Sequence, residues 1–187
     1  MVDDLLNGNP YGNLSLGLDI RASRVPLDNH QLVGELWVGG SFTALGEPFA
    51  EDAVDNAWLV DCAGELPREL MARAARSFWR VFEDIEWIPG SYDRIDALAQ
   101  QLAGALRGNA DALTGDQPEG GSGGASADAQ PPERVYVFCK QGFNRSGLLT
   151  GRILRALGTP PQDAVTQLRE LRPGALTNET FVDLIHR

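Results

Sequence analysis

Short apolar runs broken by glycine and proline divide the chain into small elements. Glu35-Leu36-Trp37-Val38-Gly39-Gly40 is stopped by its two glycines, and Ala57-Trp58-Leu59-Val60-Asp61-Cys62 ends at Ala63-Gly64. Both read as strands, since brief apolar runs bounded by turn formers suit buried β-structure. From Pro67 the spacing changes. Leu70, Ala74, Phe78 and Val81-Phe82 recur every three or four residues, which predicts a helix with Pro67 near its start. A further strand is predicted around Ile85-Glu86-Trp87-Ile88, ending at Pro89-Gly90. Ser91 then suits an N-cap for a helix with Ile95, Leu98, Leu102 and Leu106 on one face.

The remainder is more regular. Val135-Tyr136-Val137-Phe138-Cys139 is continuously apolar, as a strand covered on both faces must be. Helices follow from Ser146 to about Leu157, from Pro161 with Ala164, Val165, Leu168 and Leu171 inward, and from the Thr177-Asn178-Glu179-Thr180 cap with Phe181, Leu184 and Ile185. Strands alternating with helices predict an α/β fold, a central and largely parallel sheet of about four or five strands flanked by helices. Two regions stand apart. Residues 1–34 offer one short strand or extended segment at Leu14, Leu16 and Leu18. Residues 114–132 hold five Gly, three Pro and no large apolar side chain, a composition that predicts a flexible insertion. The domain is expected over 35–187, with the insertion inside it.

Composition narrows the possible chemistry. The 187 residues are 43% hydrophobic and 22% charged, values expected of one soluble domain. No run approaches the ~20 apolar residues of a membrane helix, and the acidic start lacks a secretory pattern, so a cytoplasmic protein without a membrane partner is expected. Two cysteines exclude a disulfide scaffold, and two histidines, His30 and His186, are too few for a histidine-based metal site. The net charge of −10 disfavours general nucleic-acid binding. That charge is uneven: residues 1–132 carry −13 and residues 133–187 carry +3. Anion chemistry therefore belongs in the last third.

The candidate lies there. Cys139-Lys140-Gln141-Gly142-Phe143-Asn144-Arg145-Ser146-Gly147 joins a buried strand to a helix start, where backbone N–H groups converge and favour an anion. Five residues between Cys139 and Arg145 suffice to wrap a tetrahedral oxyanion, and the guanidinium closes the ring with paired hydrogen bonds. Gly142 frees the mid-loop backbone, and Ser146 can donate its hydroxyl to the sulfur. A buried structural cysteine beside an ordinary turn is the plainer alternative.

Cys139 to Ser146 resembles the C-x5-R-[ST] phosphate loop of the cysteine-dependent protein phosphatases, most closely the dual-specificity branch. Residues 36–40, 58–67 (WLVDCAGELP) and Leu171-Arg172-Pro173-Gly174-Ala175-Leu176-Thr177-Asn178 with Phe181 are similar to other parts of that branch, so the likeness spans roughly residues 35–187. The loop tail from Gly142 to Gly147 is also similar to the RNA 5′-triphosphatase half of animal capping enzymes. The resemblance implies a dual-specificity phosphatase-like fold and a phosphomonoester hydrolase that uses neither metal nor cofactor. Cys139 would be the nucleophile, with Arg145 and Ser146 catalytic and Lys140, Gln141, Gly142, Phe143, Asn144 and Arg145 holding the phosphate of a phosphorylated protein or small phosphoester.

The family also uses an upstream Asp as general acid. Asp93 is the candidate, four residues past Pro89, although an acid in a helix's first turn is equally explained by the helix dipole. Asp84, read as preceding a strand, and Asp96, off the apolar face, rank below it. By the same resemblance Cys62 ends a strand beside that of Cys139, as a buried thiol or an oxidation partner. Where the family usually has His before the nucleophile, this chain has Phe138, which packs but cannot hydrogen-bond. Two alternatives stay open: action on RNA 5′-triphosphates or phosphoinositides, and a module that binds phosphate without hydrolysing it.

Overall fold

The computed structural model describes residues 22–27, 32–40, 57–66, 68–85, 92–109 and 130–187. Five strands form one sheet: β1 (Ser23–Arg24), β2 (Glu35–Gly40), β3 (Ala57–Asp61), β4 (Arg76–Trp79) and β5 (Arg134–Cys139), in the order β1-β2-β5-β3-β4. The β1–β2 pair is antiparallel and every other pair is parallel. The helices are α1 (Arg68–Arg73), α2 (Tyr92–Leu106), α3 (Arg145–Ala156), α4 (Pro161–Leu171) and α5 (Glu179–His186).

The two faces of the sheet follow from strand alternation. Trp58, Val60 and Cys62 of the β3 line, with Val135, Val137 and Cys139 of β5, point to the larger core, which α2, α3, α4 and α5 close. Ala57, Leu59, Tyr136 and Phe138 point the other way and are covered by Leu66, Met71 and Leu70 at α1. β5 is central and flanked on both sides, so both of its faces and both of its edges are buried. That is why its sequence is apolar without a break.

One stretch departs from the expectation. The helix predicted from Pro67 to Phe82 is real only over the six residues of α1; the chain then enters β4. Alanines 72, 74 and 75 favour helix, but β3 is buried along its whole length and its outer edge needs a partner. Residues 76–79 supply it, in parallel register from Trp58↔Arg76 to Asp61↔Trp79. The strand predicted around Ile85 is correspondingly absent at Ile85, which lies in an exposed bend after β4; residues 86–90, with the proposed cap Ser91, lie outside the described residues.

Residues 1–34 also contribute more than expected. β1 extends the sheet, Val25 is buried in the larger core, and the Val25 amide donates to the Leu36 carbonyl at 2.8 Å. The segment at Leu14–Leu18 and nearly all of 114–132 lie outside the described residues.

Candidate active site

In a parallel sheet the carboxyl ends of the strands open onto a common edge, and ligands gather there. β5 ends at Cys139, and the next five residues turn back into α3. Gly142 makes the turn with φ 76°, and a Cβ there would come within 2.4 Å of the Gly39 carbonyl carbon. A Cβ on Gly40 would in turn meet the Gln141 carbonyl carbon at 2.9 Å. The two glycines that end β2 therefore do more than stop a strand: they let the loop cross directly over its end.

The loop wraps the cysteine sulfur. Cys139 is 3% exposed; the Gly142 N–H donates to Sγ at 3.3 Å, and the Ser146 hydroxyl lies 3.2 Å away. Ser146 is fully buried in the first turn of α3. Arg145 sends Nη1 toward the Phe82 carbonyl at 3.5 Å, a weak contact, and its buried Nε has no hydrogen-bond partner among the described residues. A buried guanidinium N–H without an acceptor is costly unless an anion completes it. Lys140 is half exposed and faces Glu65 at 3.7 Å.

The loop is braced from outside. Arg172, almost wholly buried, donates from Nε to the Gly142 carbonyl at 2.9 Å and from Nη1 to Ser23 Oγ at 2.9 Å, with its guanidinium over the Phe143 ring. Asn144 uses both ends of its amide. Its Oδ1 accepts from the Thr177 amide at 2.9 Å, and its Nδ2 donates to Asp84 Oδ2 at 3.0 Å. Asn178 caps α5 by accepting from the Thr180 amide, and donates from Nδ2 to Asp84 Oδ1 at 3.0 Å and to the Ile85 carbonyl at 3.1 Å. Both carboxylate oxygens of Asp84 are thus held by amides, one from the loop and one from the start of α5.

The residues named from the sequence divide accordingly. Positions 139–146 form one contiguous loop around the sulfur. Asp93 sits exposed in the first turn of α2, and no hydrogen bond or ion pair joins it to the loop among the described residues. Asp96 pairs with Arg152, whose guanidinium also lies over Tyr92. Asp84 follows β4, and its carboxylate accepts a hydrogen bond from the loop at Asn144, while Glu65 faces the loop through Lys140. Asp84 was obscured because residues 76–79 were read as helix; once they form a strand, it lies just beyond a strand's carboxyl end. Arg172 and Asn178 lie in the stretch that carries the resemblance, and Asn178 in the predicted cap, but their contacts with the loop and with Asp84 are remote in sequence and gave no signal.

Asp61 and Cys62 shape the neighbouring rung. The buried Asp61 carboxylate accepts from the amides of Ala63, Gly64 and Leu66, each at 2.8 Å, and so fixes the turn after β3. The Cys62 amide donates to the Phe138 carbonyl at 2.7 Å. Cys62 and Cys139 are both free and buried. Burial, and then the electrostatic influence of the neighbouring Cys139 and Asp61, pushes the Cys62 thiol well above its ordinary value of 9.0, so it stays protonated. Phe138 faces away from the sulfur and stacks on Tyr136 with ring centroids 5.8 Å apart.

No family model and no curated protein sequence matches the chain. Solved structures do. It is similar to the Cydia pomonella PTP-2 phosphatase, with a TM-score of 0.56 and 16% identity over 90% of this chain and 89% of that one. The Yvh1 phosphatase domain from Chaetomium thermophilum gives 0.54 and 16% over 88% and 93%. Human DUSP28 gives 0.51 and 17% over 80% and 84%. The fold is therefore that of the dual-specificity and tyrosine phosphatases, with a mostly parallel five-stranded sheet flanked by helices.

Proposed function

We propose that the protein is a phosphomonoester hydrolase of the tyrosine or dual-specificity type that works through a cysteinyl-phosphate. The observation that carries this is the 139–146 loop: a sulfur ringed by an amide N–H and a hydroxyl, beside a buried arginine nitrogen that lacks an acceptor. In the first step the Cys139 thiolate attacks phosphorus as the ester P–O bond breaks, and the loop amides and Arg145 stabilise charge on the equatorial oxygens. Ser146 is suited to receive the sulfur as it becomes a leaving thiolate in the second step, when water attacks the phosphocysteine and releases phosphate.

The departing alkoxide or phenoxide needs a proton, and the attacking water must lose one. We assign both transfers to Asp84 in preference to Asp93. Support comes from the two amide hydrogen bonds that tie its carboxylate to the loop and to α5, whereas Asp93 has no such tie among the described residues. Phosphorylated proteins or small phosphoesters are the substrates, in a cytoplasmic setting, with no metal or cofactor in the scheme.

Hydrolysis of an aryl phosphate by the purified protein, with the mass of one phosphoryl group added to Cys139 in protein trapped during turnover, is the expected result. Turnover that survives Cys139→Ser would overturn the mechanism.

A further inference from the structure

The rung that carries Cys139 continues across the sheet. Phe138, Asp61 and Trp79 lie opposite one another in register, and the Cys62 and Arg80 amides donate to the Phe138 and Asp61 carbonyls at 2.7 and 2.9 Å. One residue further, Cys139, Cys62 and Arg80 stand side by side at the carboxyl ends of three parallel strands. All three are on the face that carries α2 and α3, since Arg80 shares the alternation of Arg76 and Phe78. With strands ~4.8 Å apart, the Cys139 and Arg80 backbones are roughly 10 Å apart, a gap that an arginine side chain and a linked phosphoryl group can bridge.

Arg80 is not alone there. Arg94, in the first turn of α2, lies close enough that its charge opposes that of Arg80, and this adds to burial in lowering the Arg80 guanidinium's hold on its proton. No hydrogen bond or ion pair engages either guanidinium among the described residues, and Arg80 Nε is buried without an acceptor. Arg76 Nη1 and Arg145 Nε also lack a hydrogen-bond acceptor among the described residues, but other contacts of buried guanidinium groups are visible. Arg76 lies over the rings of Trp58 and Phe78, Arg152 is held by Asp96 and the Leu184 carbonyl, and Arg172 by Gly142 and Ser23. Two like charges thus lie near one another, one strand beyond the nucleophile's neighbour, with no ion pair to either among the described residues. Such an arrangement is stabilised by an anion supplied from outside.

We infer that Arg80 and Arg94 form a second anion subsite, which takes a further phosphoryl group of a substrate whose first is held by the 139–146 loop. The substrate class is then a molecule with more than one phosphoryl group, an oligophosphate or a multiply phosphorylated ester. The inference rests on the loop being a phosphate site, but not on hydrolysis. The net −10 of the chain weighs against polyanionic ligands in general, so any such ligand must be held by these two local charges.

Equilibrium calorimetry on Cys139→Ser protein at fixed salt, with orthophosphate and with tripolyphosphate, separates the two sites. Tripolyphosphate should bind about tenfold or more tightly than orthophosphate. Adding Arg80→Gln or Arg94→Gln should weaken tripolyphosphate about tenfold and leave orthophosphate within about twofold. Arg107→Gln, which removes the same charge just beyond the far end of α2, should change neither. Equal losses for both anions, no loss, or the same loss in Arg107→Gln would overturn the subsite. Arg94 is exposed, so its variant keeps the test valid if Arg80→Gln lowers stability. Failure to bind orthophosphate would overturn the loop assignment as well, whereas normal binding without aryl phosphate turnover in the parent would overturn only the hydrolase reading.

Discussion

The loop after β5 and the segment after β4 meet at one site but are made in different ways. In the loop, the groups that face the sulfur come from eight consecutive residues, and strand, turn and helix start are all local. The 80–85 segment has little internal structure. Its position depends on Asp61 accepting the Arg80 amide, on Asn144 and on Asn178, partners 19, 60 and 94 residues away from the groups they hold. A local site can be read from a motif. An assembled one exists only when distant elements dock, and it is the part that a single substitution can detach while leaving the rest intact.

The largest expected effects fall on the local half. Cys139→Ser should abolish turnover of any phosphomonoester while leaving the fold and orthophosphate binding in place. Arg145→Lys should reduce kcat about a hundredfold or more and weaken phosphate binding too, because a point charge cannot replace the planar fork. Steady-state kinetics beside phosphate titration reads both; retained binding in Arg145→Lys would mean that the amides alone hold the anion.

Next comes the assembled half. Asp84→Asn should slow alkyl phosphates about a hundredfold and esters of acidic phenols only a few-fold, since the latter leave without a proton. Asp93→Asn should show no such dependence on the leaving group. The reverse pattern would transfer the general-acid role to Asp93, and equal losses on both substrates would remove Asp84 from proton transfer.

A milder break tests the tie itself. Asn178→Ser keeps an acceptor for the α5 cap but is too short to reach Asp84. Melting should therefore change by less than ~1 kcal/mol, while kcat on alkyl phosphates falls several-fold and that on acidic aryl esters stays near the parent value. Loss of stability without the leaving-group split would show that Asn178 only caps the helix.

The smallest effect concerns the rung between the two halves. Cys62 is held protonated by burial, Cys139 and Asp61, and Arg145 and Arg80 only partly oppose this. Above pH ~9 the unfolded chain loses this proton while the native state keeps it, so the native state binds more protons and stability falls as pH rises. Denaturation between pH 7 and 10 should show a steeper decline in the parent than in Cys62→Ala, and identical slopes would mean that Cys62 ionises alike in both states.

Much of this was legible without coordinates. β5 is continuous in apolar character because both of its faces are covered, and the Gly142 turn and the Ser146 helix start lie within one short span, so the motif carries its own geometry. The amphipathic spacing of α2, α4 and α5 likewise follows from burying one stripe of side chains. Residues 76–79 were not legible, because Phe78 and Trp79 after three alanines satisfy a helical spacing as well as a strand's two faces. Only the open edge of β3, a requirement invisible in the local sequence, selects between them.

The sequence by itself determined the local arrangement at the end of β5: a sulfur, a guanidinium, and the turn that brings them together, all within reach of neighbouring backbone. The tertiary structure alone decided which acid meets that loop, which arginine braces it and which arginines share its rung. The reason is physical. Backbone connectivity constrains positions a few residues apart, whereas Asp84, Arg172 and Arg80 are placed by sheet order and helix packing, where hydrogen-bonding needs of buried edges outweigh local preference.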